Sequence, residues 1–214
     1  MRRFFVTGTD TGVGKTFITA AIAHRARLAG RRVFAFKPIE SGCGFDATGH
    51  LVGADQEALS HAAGNWQQGV LRGVYQFAFA AAPSVAAGTT TIDLERIQQV
   101  AREGSERADL VLIEGAGGWR VPVTDSVDMG GLARQLDCAV ILVARAGLGT
   151  INHSLLTAEA IQRDGCSLDA IVISRNPQDD LAFTRSNAEQ IQRRCSMPVL
   201  VFDSASESVL DRFI

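Results

Sequence analysis

Short, uniformly apolar runs recur along the chain and alternate with segments of helical period. Phe4–Val6, Val33–Phe36, Leu110–Ile113, Ala139–Val143, Ala170–Ile173 and Val199–Phe202 are apolar at every position rather than at every second one. That pattern predicts strands buried on both faces. Between them, residues 15–29 form an Ala-rich segment closed by Gly30, and Leu94, Ile97 and Val100/Ala101 give the i, i+3, i+6/7 face of another helix. Further helices are expected near 55–63, 127–136, 151–164 (ended by Gly165) and 184–194. The loosest stretch is 65–92, punctuated by Asn65, Gly69, Gly73, Pro83 and Gly88. Strand–helix alternation over the whole length predicts an α/β fold, a mostly parallel sheet with helices on both faces. In such sheets ligands bind beyond the carboxyl ends of the strands, so chemistry is sought in the loops that follow each run.

Composition narrows the classes. At 214 residues the chain is expected to form a single domain over 1–214. Its 21 basic residues against 23 acidic ones give a net charge of −2, and no block of like charge occurs, which argues against a dedicated nucleic-acid binder. Hydrophobic residues at 46% and charged residues at 21% exclude a disordered class. Residues 73–92 carry no charge, but Gln76, Pro83, Ser84, Gly88 and three threonines interrupt them, so no membrane span is expected. The start, MRRFFVTGTD, lacks the apolar core of a signal peptide. Cys43, Cys138, Cys166 and Cys195 show no CxxC or Cys/His metal spacing and read as reduced thiols. The expected compartment is the cytoplasm.

Of the 21 basic residues only two, Lys15 and Lys37, are lysines. A lysine kept in so Arg-rich a chain marks a place that needs a compact ammonium rather than a planar fork. Both fall in motifs. Gly8-Thr9-Asp10-Thr11-Gly12-Val13-Gly14-Lys15-Thr16 follows the first strand and opens a helix. Such a loop wraps phosphates with backbone N–H groups, its Lys reaches the terminal phosphates, and its Thr can ligate Mg²⁺. The spacing departs from G-x-x-x-x-G-K-[ST], because Thr9 stands where the first Gly is expected and Gly8 lies one position earlier. Lys37-Pro38-Ile39-Glu40-Ser41-Gly42 directly follows the second strand, so Lys37 is expected to project from the same sheet edge as Lys15. The run 109–118 ends a strand with Glu114 and then Gly115-Ala116-Gly117-Gly118, an acid positioned to hold Mg²⁺ directly or through water. Asp55 offers a second carboxylate, either as a helix cap or as a metal ligand.

GTDTGVGKT, KPIESG, Asp55, IEGAGG and Gly149-Thr150-Ile151-Asn152-His153 together resemble the dethiobiotin synthetase family in order and spacing, over residues 6 to about 160. The resemblance implies a P-loop NTPase fold and an ATP- and Mg²⁺-dependent ligase. Its reaction would carboxylate 7,8-diaminopelargonate with CO₂ and close the ring to dethiobiotin, through a carbamate and a carbamic-phosphoric anhydride, releasing ADP and phosphate. It implies Lys37 and Lys15 as catalytic residues, and Ser41, Thr11, Thr150, Ile151 and Asn152 at the substrate. It also implies Gly12, Val13, Gly14, Lys15, Thr16, Phe17, Asp55, Glu114, Gly115, Ala116, Gly117, Ser174 and Asn176 at the nucleotide, with Thr16, Asp55 and Glu114 on the metal. A homodimer is implied, the loop 150–153 reaching the neighbouring subunit's substrate. Ser174-Arg175-Asn176 and Val201-Phe202-Asp203-Ser204 depart from the family's base-reading segments, which predicts a relaxed nucleotide preference. The His that often follows the equivalent of Pro83 is also missing. The alternatives are a regulatory P-loop ATPase of the partition or positioning type and a metal-insertion GTPase. The first wants an extra early Lys where Asp10 or Thr11 stands, and the second a His- or Cys-rich tract; neither is visible.

Overall fold

A computed structural model describes residues 1–203 and 205–214; Ser204, part of the departing segment after the last strand, lies outside the described residues. In chain order the strands are β1 (Arg2–Gly8), β2 (Val33–Phe36), β3 (Ile39–Ser41), β4 (Gly44–Phe45), β5 (Leu51–Val52), β6 (Tyr75–Phe77), β7 (Leu110–Gly118), β8 (Ala139–Arg145), β9 (Leu168–Ser174) and β10 (Val199–Phe202). The helices are α1 (Lys15–Leu28), α2 (Ala54–Ala62), α3 (Pro83–Ala86), α4 (Leu94–Ser105), α5 (Met129–Gln135), α6 (Thr150–Arg163) and α7 (Leu181–Gln192). Short 3₁₀ turns cover Gly69–Leu71 and Glu207–Phe213.

Six strands form one sheet in the order β10-β9-β8-β1-β7-β2, and every pairing in it is parallel. Each apolar run becomes one of these strands because both faces must be covered. Successive side chains point to opposite sides, so Phe5, Phe34 and Phe36 pack with α4, α5, α6 and α7, while Phe4, Val6, Val33 and Ala35 pack with α1, α2 and the C-terminal turn. The order places β1 at the sheet centre, flanked by β7 and β8. The loop after β1 and the end of β7 are therefore neighbours at the carboxyl edge, where ligands bind in open parallel sheets.

The structure departs from the sequence reading in two places. The apolar run 110–113 does not end its strand: β7 continues through Glu114 to Gly118, because β1 runs alongside it with Val6 opposite Glu114 and Gly8 opposite Gly118. Glu114 is thus an interior strand residue, fully buried. The loose stretch 65–92 contains order of its own, a 3₁₀ turn, β6 paired in parallel with β3, and α3 with Pro83 at its first position. Among the described residues, no helix is long and apolar enough to cross a membrane.

Helix α4 sits close against the sheet through Gly104, where an added Cβ would lie 2.2 Å from the Phe34 ring. Gly104→Ala is expected to destabilise the protein by about 1–3 kcal/mol through overpacking, read as a lower urea midpoint in equilibrium unfolding.

Candidate active site

The loop 9–14 leaves β1 and returns into α1 with Gly14 in the left-handed region at φ 98°. A side chain there is strained by the backbone and would also meet the Ser174 Oγ at 2.5 Å, so glycine is required twice over. Gly8 serves a spatial purpose: a Cβ on it would come within 3.0 Å of the Lys15 Nζ. The nearest obstacles to that Cβ are the Asp10 carbonyl oxygen at 2.7 Å and Val13 Cγ2 at 2.8 Å, so glycine here makes room for the folded loop itself. Lys15 Nζ donates to the Asp10 carbonyl at 3.0 Å, folding its side chain back over the loop.

Lys37 leaves the end of β2 and is buried. Its ammonium donates to Glu114 Oε1 at 2.9 Å and to Asp55 Oδ2. Thr16 Oγ1, one residue beyond Lys15, donates to the same Glu114 oxygen at 2.8 Å. Glu114 therefore gathers the loop, the second strand and, through Lys37, helix α2. Its other oxygen, Oε2, is buried without a hydrogen-bond partner. Asp55 is not a helix cap, since Gly53 holds that position and the Asp55 carboxylate goes to Lys37 instead.

One electrostatic setting moves the two lysines in opposite directions. Burial pushes Lys15 down to about 8, with Lys37 adding repulsion and Glu114 only partly opposing. Burial would also lower Lys37, but the charges of Glu114 and Asp55 and the hydrogen bonds to both more than reverse it, holding this ammonium above the ordinary lysine range.

These groups border a cleft of about 640 Å³. Thr11, Gly12, Gly14, Lys15, Thr16, Phe17, Lys37, Ser41, Asp55, Ala116 and Gly117 all line it. Ser41 Oγ donates to the Ala81 carbonyl at 2.7 Å, leaving its lone pairs free to accept. Ala80, Ala82, Pro83 and Val121 add an apolar wall to which the sequence did not point, and Ser41 adjoins it through the Ala81 carbonyl. Val13 and Gly115 lie behind the cleft in the packed interior, Gly115 against Phe5 and Met129. Ser174 packs against Gly14 and Asn176 is exposed, and neither is among the residues that line the cleft. Thr150, Ile151 and Asn152 open α6 outside the cleft, with Thr150 turned inward and Asn152 exposed.

A divalent cation can be tested against this donor set. Thr16, Asp55 and Glu114 offer only hard oxygens, and the unpartnered buried Glu114 Oε2 is the kind of atom such a cation satisfies. Two carboxylates and a hydroxyl suit Mg²⁺, which completes its shell with phosphate oxygens and water rather than with a full protein cage. Consistent with that habit, the described residues contain no cluster of three or more His, Cys, Asp or Glu that could hold a metal by themselves. The residues fit the ion.

A family profile described as "AAA domain" matches residues 2–201. The chain is 40% identical over 197 residues to ATP-dependent dethiobiotin synthetase BioD of Anaeromyxobacter dehalogenans (strain 2CP-C), covering 90% of this chain and 85% of that protein. It is 43% identical over 178 residues to the protein of the same name from Pseudomonas aeruginosa (strain UCBPP-PA14), covering 78% and 75% respectively. Among solved structures, the signal recognition particle receptor FtsY from Elizabethkingia anophelis is similar with a TM-score of 0.51 at 17% identity. The alignment covers 99% of this chain and 65% of that one, and it bears on the fold alone.

Two outcomes follow from the buried charges. Lys37→Met leaves Glu114 without its ammonium and is expected to cost about 3–5 kcal/mol of stability in chemical denaturation, partly recovered by adding Glu114→Gln. Lys15 binds phosphate only when protonated, so metal-free ADP should bind well below pH 8. Its Kd should rise about tenfold per unit above that pH, as the proton is lost from the free protein. Calorimetric titrations between pH 7 and 9.5 read this slope, and Lys15→Ala is expected to flatten it.

Proposed function

The chain belongs to the AAA-domain family and to the ATP-dependent dethiobiotin synthetases, and from that premise we propose how its cleft carries out the reaction. The activity is that of a C–N-bond-forming ligase using ATP and Mg²⁺, which turns 7,8-diaminopelargonate and CO₂ into dethiobiotin, ADP and phosphate. The observation that carries the residue assignment is that Lys15, Thr16, Lys37 and Asp55 line one cleft while Thr16 and Lys37 both bond to the buried Glu114. The named relatives are synthetases, which favours this reading over a regulatory ATPase.

A carbamate formed from an amine and CO₂ is a weak, reversible nucleophile and must be held while the γ-phosphoryl group arrives. Lys37 supplies a point charge to it beside Ser41, whose free lone pairs accept from the substrate amine. Lys15 and the loop N–H groups neutralise the terminal phosphates. Thr16, Asp55 and Glu114 would hold Mg²⁺, which would offset phosphate negative charge. The carbamate oxygen takes the γ-phosphoryl group and ADP leaves. The second amine then attacks the carbamoyl carbon, expelling phosphate as the five-membered ring closes. No side-chain nucleophile is needed, since positioning and field do the work. The apolar wall Ala80, Ala82, Pro83 and Val121 suits the methylene chain of the diamine acid.

The assembly in this reading is a homodimer. Leu148, 79% exposed, and Leu156, 57% exposed, flank the start of α6, and a second groove lined by Leu156, Thr157 and Ala160 adjoins Thr9–Thr11 of the phosphate loop. A partner seated there brings its Thr150–Asn152 segment toward the neighbouring cleft. Residues 1–214 are read as one domain, because β1 and β10 share a sheet. The proposed compartment is the cytoplasm, supported by four free thiols.

With the diamine, labelled bicarbonate and Mg-ATP, each turnover is expected to yield one acid-stable labelled product and one phosphate, with slow hydrolysis when the diamine is omitted. Label that never enters an acid-stable product would refute the reading. Lys37→Arg should lose most turnover while staying folded, because the guanidinium keeps the charge but not the shape. On the base side, the packed Ser174, in a segment that departs from the family's base-reading pattern, is expected to let GTP and CTP compete with ATP in turnover assays, a missing buried hydrogen bond giving up about 1–3 kcal/mol of selectivity. Sedimentation at micromolar concentration checks the dimer, and Leu148→Glu should shift it toward monomer.

A further inference from the structure

Helix α2 begins without a cap of its own. Its N-cap residue is Gly53, which has no side chain to satisfy the first N–H groups. The partner comes from another element. Glu40, in β3 and buried, accepts the Asp55 N–H on Oε1 at 2.9 Å and the Gln56 N–H on Oε2 at 2.9 Å. Both oxygens of one carboxylate thus take consecutive amides at the positive end of a nine-residue helix. Gly53 is the complement of this arrangement: a Cβ on it would stand 2.4 Å from Glu40 Oε2, so a conventional capping side chain and Glu40 exclude each other. Gln56 returns the connection, its buried amide donating to the Lys37 carbonyl at 3.0 Å and to the Tyr75 carbonyl at 3.2 Å. The carboxylate three residues after Lys37 therefore holds the helix that carries Asp55, and that helix holds the backbone of Lys37.

We propose that Glu40 is a positioning residue for the metal side of the site: capping α2 from outside, it fixes Asp55 against Lys37 and Glu114. Glu40 does not line the cleft, so it acts through Asp55 rather than on substrate. Without it, the first turn of α2 frays into a loop and the Asp55 carboxylate loses its fixed place. The inference rests on the reading above that Asp55 is a metal ligand.

Glu40→Ala and the isosteric Glu40→Gln, which keeps the volume and one acceptor, are compared with the parent protein. The amide hydrogens of Asp55 and Gln56 are expected to exchange faster in both. Mn²⁺ binding in the presence of ADP, read by water-proton relaxation, should weaken about tenfold, the usual scale for a residue that orients a metal ligand. ADP binding in metal-free buffer, which depends on the loop 9–14, should match the parent. Gly53→Ser added to Glu40→Ala places an ordinary capping hydroxyl in the vacated space, the Gln56 amide oxygen 2.9 Å from the new Cβ moving aside, and should restore Mn²⁺ affinity to within about threefold. Such rescue would not follow if Glu40 merely filled space or touched the ion directly. Parent-like Mn²⁺ affinity in both Glu40 variants, or amide protection regained by Gly53→Ser without regained affinity, overturns the proposal. Asp55→Asn separates the two levels. If it weakens Mn²⁺ binding while the Glu40 variants do not, only the role of Glu40 falls; if neither affects binding, the metal assignment of Asp55 falls with it.

Discussion

A carboxylate sealed inside a parallel sheet is the constraint around which the site is organised. Glu114 has no solvent exposure, and removing an ion from water costs several kcal/mol unless charge and hydrogen bonds are returned to it. Lys37 and Thr16 return them on one oxygen, and the other stays unpartnered. The chain spends both of its lysines here and writes every other positive charge as Arg. An ammonium is compact enough to sit between two carboxylates in a packed interior, whereas a guanidinium needs a flat opening.

The same carboxylate divides the labour of the two lysines. Lys37 is already paired and held in its charged form, whereas Lys15 is drawn toward neutrality by burial and has only a backbone carbonyl within hydrogen-bonding distance. Lys15 thus gains most from a phosphate, whose negative charge restores what burial removes. Lys37 contributes a charge that is present before any ligand arrives, which is the preorganisation that electrostatic catalysis depends on.

The phosphate and base sides of the cleft have diverged in character. On the phosphate side Thr16 and Lys37 are tied to Glu114, and Lys37 also to Asp55, so substitutions among these four would unpair a buried charge. On the other side, Arg175 pairs with Asp203 at 3.1 Å and Phe17 packs edge-on against Phe202. Those contacts occupy the Arg175 and Asp203 side chains with each other. An exposed aromatic ring such as Phe17 can pack against any base, which fits the loosened discrimination inferred for this chain.

Much of this was legible in the sequence where the cause is local. Six apolar runs became the six strands of the sheet because a strand buried on both faces has no polar position to spare, and the phosphate loop announced itself because glycines, lysine and threonine must occupy fixed offsets. Asp55 could be read only as cap or ligand, since its neighbour Gly53 names no partner. The tertiary structure removes the first of these: Gly53 holds the cap position, and Glu40, fifteen residues away, accepts the Asp55 N–H. It also carried β7 past Ile113, because β1 supplies hydrogen-bonding partners up to Gly118. The apolar wall at Ala80–Pro83 and the pairing of β3 with β6 depend on where long loops return, a matter of which distant backbone groups find each other. Periodicity reports which side of an element is buried; it says nothing of what lies across the gap, and that is why the walls and clamps of the cleft could not be read from the chain alone.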